Sequence, residues 1–480
     1  MPGRRWKGSD MPANNTVNNT MYEYLSWRGD LTFEQDPFNE VDNLILAQMA
    51  YVDYDDIVSD DREKKVAISD VARLYWELHT VAEIRSRGSF VRMSPFLLEP
   101  VAKSRRFRKM MLTGYVNYVS TSSEAQMSAV QFELEDGTTY VAFRGTDETL
   151  VGWKEDFNLS FMPQTEGQRL AVEYMKIHFR DTNLRLRVGG HSKGGNFAIY
   201  ASAFSGREVA RQISEIYACD APGFREEVTE TDEYRKILPR TTSIIPEDSV
   251  IGVLFGTGLE PVVIKSSATG IMQHDALTWQ VMGNRFVRTE RSDDSLFVQK
   301  VVTDWLSKVD DDSRKIFVDQ IFGVLQSTGA YTMKDIRTAN FKEVLEAIQI
   351  ARRLPKDEQK EITQVLTQLF RSGEKTFYEA VENAGGSMPE FVRRWAAKRG
   401  DQIERKQIAL EQAMAEEEAA IEQASERPAK GQPEQEKLAQ GKLAPEQTSS
   451  ESPAHRSKLQ EEITRLQAEG LPAASENISE

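Results

Sequence analysis

The pentapeptide at positions 190–194, Gly-His-Ser-Lys-Gly, contains the residue of this chain best suited to covalent chemistry. Its pattern, glycine-x-serine-x-glycine, is typical of a sharp turn between a strand and a helix that lifts a serine hydroxyl clear of the backbone. The flanking sequence agrees. The alternating run 184–188 predicts a strand, and the run 196–203, which lacks glycine and proline, predicts a buried helix. Ser192 is therefore a candidate nucleophile.

A serine hydroxyl is a weak nucleophile at neutral pH and needs a base, most often histidine, to take its proton. The chain has five histidines. Four of them lie where a catalytic base is not expected. His79 and His178 are in helical regions, His191 is inside the turn and His455 is in the polar C-terminal segment. His274 follows the last predicted strand, and loops at the carboxyl ends of strands are where catalytic residues gather in open sheets. We therefore expect His274 to be the base.

The acid that orients the histidine is expected between serine and histidine along the chain. Asp248 satisfies this order and follows the predicted strand 242–245. Asp220, which follows the predicted strand 216–219, is the alternative. We expect Asp248, rather than Asp220, to complete the triad.

An acyl-transfer intermediate also needs two donors aimed at its oxyanion. The backbone N–H of Lys193, directly after the nucleophile, is one candidate. The second should come from a loop after an earlier strand, and the turn at 144–147 follows the predicted strand 139–143. Its glycine lets the backbone approach closely, and Thr146 could add its hydroxyl. Lys193 and Thr146 are thus the predicted oxyanion residues.

Strand and helix patterns alternate from about residue 111 to residue 270, which predicts a mostly parallel sheet with helices on both faces. Asp136-Gly137, between the strand patterns 129–134 and 139–143, predicts a hairpin turn. The apolar spacing over 166–180 predicts a helix, and residues 21–86 have mainly helical patterns. The fold class is therefore α/β.

Four regions follow from these patterns. Residues 1–20 form a polar tail, 21–295 the domain with the candidate triad, 296–400 a helical appendage with amphipathic stripes, and 401–480 a charged helical and disordered tail. The last region has no aromatic residue and carries about half of the net charge of −15, so it cannot bury enough apolar area to fold. A short apolar stripe within it could dock a protein partner.

The acidic balance argues against non-specific nucleic-acid binding, which requires a basic face. The single cysteine, Cys219, excludes an intrachain disulfide and a multi-cysteine zinc site. No apolar run reaches the length of a membrane span, and the first twenty residues are polar. We expect a cytoplasmic protein that uses neither a metal nor a cofactor.

The chain resembles the fungal-type (class 3) lipases. Their landmarks occur in order at 141–146, Trp153, 156–157, 190–195 and 219–223. The resemblance implies an α/β-hydrolase fold, an oxyanion role for Thr146, a lid near Trp153 and Phe157, and an acid from the segment 248–250.

Other segments look closer to a bacterial lipase-like family of unknown function. They are 27–30, 36–43, 190–196 and 273–275, and the similarity covers roughly residues 21–290.

Two features depart from the lipase pattern. Lys193 stands where class 3 lipases usually have an apolar residue, and its charge could favour anionic substrates. The lid-like stretch 149–162 carries Lys154, Glu155 and Asp156, so it is less apolar than a lid made for an oil interface.

The leading interpretation is a serine hydrolase that cleaves a small-molecule or lipid carboxylic ester through Ser192, His274 and Asp248. The alternative is a catalytically silent α/β-hydrolase scaffold that binds proteins through its C-terminal helices. A third hypothesis is peripheral membrane contact through Trp153, Phe157 and Phe161, although core packing is the favoured interpretation of these aromatic residues.

Overall fold

An eight-stranded sheet forms the centre of the protein, and its strands lie side by side in chain order. The computed structural model describes residues 19–87, 91–147 and 149–327. The strands are β1 Val66–Ala67, β2 Met111–Ser120, β3 Ala125–Glu133, β4 Thr138–Phe143, β5 Arg185–His191, β6 Ile213–Cys219, β7 Thr241–Pro246 and β8 Val262–Ile264. Strands β1 to β4 pair antiparallel, and β4 to β8 pair parallel. A separate two-stranded hairpin joins β9 Val281–Met282 to β10 Arg285–Phe286.

Helices precede, connect and follow these strands. Before and beside the first strands lie α1 Met21–Trp27, α2 Glu40–Met49, α3 Ile68–Leu78, α4 Val81–Ser86 and α5 Leu98–Lys103. The connections of the sheet contain α6 Leu150–Asn158, α7 Glu166–Phe179, α8 Lys193–Phe204, α9 Arg207–Ala210, α10 Glu226–Thr229 and α11 Asp232–Ile237. After the sheet come α12 Asp293–Lys308 and α13 Asp311–Ser327. Short 3-10 helices occupy Ser94–Leu97, Leu238–Arg240, Gly270–His274 and Ala276–Thr278.

The two faces of the sheet carry separate cores, as the period of two along a strand requires. In β4, Tyr140 and Ala142 belong to the core shared with α1, α2, α3 and α5. Val141 and Phe143 belong to the core shared with α7 and α8. The predicted α/β fold, with helices on both faces of a mostly parallel sheet, is confirmed.

The predicted hairpin at Asp136-Gly137 is confirmed. It joins the antiparallel strands β3 and β4, and Gly137 has a φ of 78°, a conformation that favours glycine.

The layer of helices before the sheet is built around a buried ion pair. Arg106 donates through Nε to Asp42 Oδ1 at 2.6 Å and through Nη2 to Asp42 Oδ2 at 2.5 Å, and both side chains are fully buried. The guanidinium also donates to the carbonyls of Asp36 and Pro37, and its carbon lies 4.2 Å from the centre of the Phe33 ring. One arginine therefore fixes both α2 and the loop that precedes it.

The same layer is joined to the end of the domain. Glu40 accepts hydrogen bonds from the Phe286 N–H and from Arg288 Nη2, both at 2.6 Å, across 246 and 248 residues of chain. Asn284 Nδ2 donates to Asp36 Oδ1 at 3.1 Å. The loop before α2 and the first residue of α2 therefore contact the hairpin β9–β10 directly.

Residues 1–18 and 328–480 lie outside the described residues. The predicted N-terminal tail, the stripes of the appendage beyond residue 327 and the charged C-terminal tail fall there, and they stay predictions. The proposed domain limits also stay predictions. Helices α12 and α13 occupy the first part of the predicted appendage.

Removal of the buried cation should destabilise the protein strongly. Arg106→Ala leaves the Asp42 carboxylate buried without its partner, so we expect the free energy of unfolding in urea to fall by about 3–5 kcal/mol. Arg73→Ala is the matched control, because Arg73 pairs with Asp70 and Glu77 on an exposed surface of α3. Its unfolding curve should barely move. Equal losses in the two variants would contradict the structural role assigned to Arg106.

Candidate active site

Ser192 lies at a strained junction between β5 and α8. Its φ is 59° and its ψ is −137°, a region that non-glycine residues rarely occupy and that costs about 1–3 kcal/mol. Close backbone contacts hold it there. A Cβ at Gly190 would collide with the backbone of Gly194, and a Cβ at Gly194 would collide with the carbonyl oxygen of Phe143. The predicted strand-turn-helix around Ser192 is therefore present, and each glycine has a steric reason.

His274 is paired with a buried carboxylate. Its Nδ1 lies 2.6 Å from Asp220 Oδ2, and Asp220 is almost fully buried directly after β6. The second oxygen of Asp220 accepts from Ser249 Oγ at 2.5 Å and from the Gly252 N–H at 3.0 Å. Burial alone would raise the pKa of Asp220, but the hydrogen bonds and the neighbouring imidazole hold this pKa below its usual range. Asp220 therefore stays ionised and fixes the orientation of His274.

The prediction that Asp248 occupies this position is wrong. Asp248 follows β7, where its Oδ2 accepts from Gln273 Nε2 at 3.0 Å and from the Gly270 N–H at 2.9 Å. Its own N–H donates to Gln273 Oε1 at 2.9 Å. These bonds of Asp248 hold the loop that carries His274, and their partners are Gln273 and Gly270 and not the imidazole.

Sheet order explains the choice between the two carboxylates. Strand β6 lies directly beside β5, with His191 opposite Cys219, so Asp220 emerges next to Ser192. Strand β7 is one strand further away. Chain order alone is compatible with both aspartates. Because β6 pairs with β5, the carboxylate that lies next to Ser192 is that of Asp220.

His191, whose place inside the turn argued against a role as the base, supports His274. Its buried ring lies 4.6 Å from the His274 ring, centre to centre, and its Nε2 donates to the His274 carbonyl at 2.9 Å. With that proton on Nε2, Nδ1 accepts from the Tyr51 hydroxyl at 3.1 Å. Burial and the charge of His274 lower the pKa of His191 to about 3, so it stays neutral. Sequence reasoning missed both His191 and Tyr51, because their partners are distant in the chain.

The loop after β4 passes against the nucleophile, as predicted for an oxyanion loop. A Cβ at Gly145 would lie 3.0 Å from the Cβ of Ser192 and would collide with the Tyr51 hydroxyl. Thr146 Oγ1 donates to Asp156 Oδ2 at 2.5 Å. Because a hydroxyl has one hydrogen, the group that Thr146 can offer to an oxyanion is its backbone N–H.

Lys193 has two separate roles in the structure. Its backbone begins α8, where N–H groups have no intrahelical partner. Its side chain is fully buried, and Nζ donates to Glu155 Oε2 at 2.9 Å and to the Gly152 carbonyl at 3.3 Å. The ammonium is thus neutralised by a buried carboxylate. Nothing in this geometry supports the expectation that Lys193 favours anionic substrates.

The lid-like residues lie on α6. Trp153 is half-buried, and Phe157 is 46% exposed, with its ring centre 5.7 Å from that of Phe322 on α13. Phe161, just after the helix, is buried. Through Thr146 and Lys193, α6 contacts both segments that are predicted to bind the oxyanion.

Across residues 19–87, 91–147 and 149–327, no group of three or more His, Cys, Asp or Glu side chains is arranged to hold a metal ion. In the same ranges, no helix combines the length and the apolar character needed to cross a membrane.

Replacement of the strained serine by glycine should stabilise the fold. Glycine adopts positive φ at little cost. We therefore expect the free energy of unfolding in urea to be about 0.5–2 kcal/mol higher for Ser192→Gly than for Ser192→Ala. The alanine variant is the matched control, because it also lacks the hydroxyl but keeps the strain. A glycine variant less stable than the alanine variant would show that the turn is not strained.

Asp156 should make stability depend on pH. Burial raises its pKa to about 6, against opposing effects of Lys193 and Thr146. The protonated form is favoured in the folded state, so this contribution to stability is complete below about pH 4 and is lost as pH rises through 6. Between pH 4 and pH 7, the free energy of unfolding of Asp156→Asn should therefore rise by about 1–3 kcal/mol relative to that of the parent, measured by urea unfolding.

Asp136→Asn is the control of opposite sign. Although burial opposes it, hydrogen bonds from Thr138 and Arg187 keep the pKa of Asp136 below its usual range. This variant should lose stability relative to the parent as pH rises. Parallel pH profiles for the two variants would contradict the assignment.

Part of this chain is similar to one protein family and to solved structures. Residues 101–323 match the family described as Mbeg1-like, a lipase-like family. A solved structure described as "Crystal structure of M37 lipase" is 13% identical, with 35% of this chain and 64% of that chain covered and a TM-score of 0.28. The chain thus spans less than two thirds of that lipase, and a likeness this low carries no argument of its own. No curated protein matches the chain. The resemblance to a lipase-like family that the sequence predicts is confirmed, because residues 101–323, which include Ser192, match the Mbeg1-like model.

Proposed function

We propose that this protein is a serine hydrolase of the esterase type that cleaves carboxylic esters through an acyl-enzyme. The observation that carries the proposal is the 2.6 Å contact between His274 Nδ1 and the buried Asp220 carboxylate, beside the strained Ser192. A serine held in a high-energy turn, a histidine oriented by an acid and a glycine loop against the serine are the parts that acyl transfer requires.

The roles follow from the chemistry of each group. Asp220 is ionised and accepts a hydrogen bond from the Nδ1–H of His274, which leaves the lone pair on Nε2 for general-base work. In the proposed reaction, Nε2 takes the Ser192 hydroxyl proton while the serine oxygen attacks the ester carbonyl carbon. The resulting oxyanion accepts hydrogen bonds from the backbone N–H groups of Lys193 and Thr146.

Collapse of this intermediate breaks the bond to the alcohol, which leaves with the proton from His274 and gives an ester on Ser192. Water then attacks that ester, again with His274 as the base, and releases the carboxylic acid and the free serine. The buried His191 stays neutral throughout and keeps the His274 loop in place through its bond to the His274 carbonyl. No oxidant, metal or cofactor is needed to balance these steps.

Covalent labelling tests this proposal directly. The full-length protein should react with a fluorophosphonate probe at Ser192, and Ser192→Ala should take no label. Asp220→Asn should slow labelling by about 1,000- to 10,000-fold, because the histidine would lose the partner that fixes its tautomer.

Asp248→Asn is the matched control, because it makes the same chemical change in the carboxylate that follows the next strand. Its labelling rate should stay within about tenfold of the parent. A folded parent protein that takes no label would overturn the proposal and favour a catalytically silent scaffold. If Asp248→Asn were the slower variant, the assignment of the acid would be overturned instead.

A further inference from the structure

The helix that occupies the lid position is attached on both of its sides. We propose that α6 is a fixed wall of the site and not a movable lid, so that the protein hydrolyses esters dissolved as single molecules and gains no activity at a lipid–water interface. This inference rests on the proposed ester hydrolysis and specifies its substrate class.

The inner side of α6 is fixed by Glu155. One oxygen of this buried carboxylate accepts from the Gly167 N–H at 2.7 Å. The other accepts from the Gln126 N–H at 3.0 Å and from Lys193 Nζ at 2.9 Å. A single side chain thus joins α6 to β3, to the start of α7 and to the nucleophile turn.

Displacement of α6 would break this whole set of bonds. It would leave a buried ammonium and two buried backbone donors without partners, and buried charges separated from their partners are strongly unfavourable. The residue that makes this attachment, Lys193, is the one that departs from the apolar residue of the class 3 lipase pattern.

α6 has further links to the site along its length. Asp156 accepts the Thr146 hydroxyl, and the Gly152 carbonyl accepts from Lys193 Nζ. Thr149, which caps the helix, accepts from Gln126 Nε2 at 3.1 Å. The helix therefore contacts the oxyanion loop and β3 at the same time.

The outer side of α6 is covered in part by α13. Lys154 Nζ lies 2.8 Å from Asp319 Oδ1 and also donates to Glu124 Oε1 at 2.6 Å. The Phe157 ring contacts that of Phe322. α13 thus adds an ion pair and an aromatic contact on the side opposite to Glu155.

A lid that responds to an oil surface must expose apolar area when it opens. The buried side of α6 carries Glu155, which pairs with Lys193 of α8, so opening would expose an ion pair that a lipid surface does not attract. The aromatic Phe157 is already half-exposed in the closed arrangement and packs on Phe322. Leu150 and Val151 are the buried apolar side chains of α6, and their contact with a lipid surface would not offset the separation of this ion pair and the loss of its hydrogen bonds. Dissolved esters are therefore the substrates that we expect such a site to reach.

The first experiment measures the hydrolysis of a short-chain triglyceride, tributyrin, by the full-length protein below and above its solubility limit. We expect a single saturation curve with no increase when droplets form. A rise of more than about threefold at the solubility limit would overturn the inference while leaving the serine hydrolase intact. If the parent takes no fluorophosphonate label and cleaves no ester, both proposals fail together.

The second experiment follows amide hydrogen exchange in residues 150–158 with and without phosphatidylcholine vesicles. A fixed helix should exchange at the same rate in both conditions, and an increase of about tenfold with vesicles would overturn the inference.

The double variant Phe322→Ala with Asp319→Asn removes the outer contacts and should speed exchange in this segment several-fold. Leu78→Ala, an exposed apolar residue at the end of α3, is the matched control and should change nothing. Equal exchange in all three proteins would show that α13 does not hold α6 and would overturn that part of the inference.

Discussion

The backbone conformation of Ser192 is the constraint on which the rest of the site depends. A serine at φ 59° survives only where β5, α8 and the loop after β4 approach so closely that glycine is required at the contact points. That crowding brings three strand ends together at one edge of the sheet. The positions of Ser192, Asp220 and the loop after β4, to which we assign the roles of nucleophile, acid and oxyanion loop, follow from this single packing arrangement.

Parallel pairing explains how residues far apart in the chain reach that edge. Strands β4 to β8 all end on the same side, so Thr146, Ser192 and Asp220 follow three adjacent strands. The buried His191 and the partly buried His274 then behave differently because their partners differ. His274 has an ionised carboxylate on Nδ1, whereas His191 has only a neutral hydroxyl and a carbonyl and is kept uncharged.

Sequence reasoning identified what local patterns encode and failed where contacts are long-range. The turn around Ser192, the parallel strands and the hairpin at Gly137 follow from alternation and glycine placement. The choice of the proposed acid does not follow from local patterns, because Asp220 and Asp248 have the same local context. Only the adjacency of the strands distinguishes them. Lys193 and Glu155 are 38 residues apart, so the sequence showed a charge beside the nucleophile without the carboxylate that neutralises it.

The bonds from Glu40 to Phe286 and Arg288 make the two ends of the domain interdependent. During synthesis, the helices before the sheet cannot complete these contacts until nearly 250 further residues have emerged, so the last hydrogen bonds form late and across a long loop. Tyr51, which holds His191, belongs to that same early layer. A nascent chain that has already formed the turn around Ser192 would therefore still lack the contacts of Tyr51 with His191 and of Asp220 with His274. Under the proposed mechanism, Ser192 would stay inactive until the domain closes.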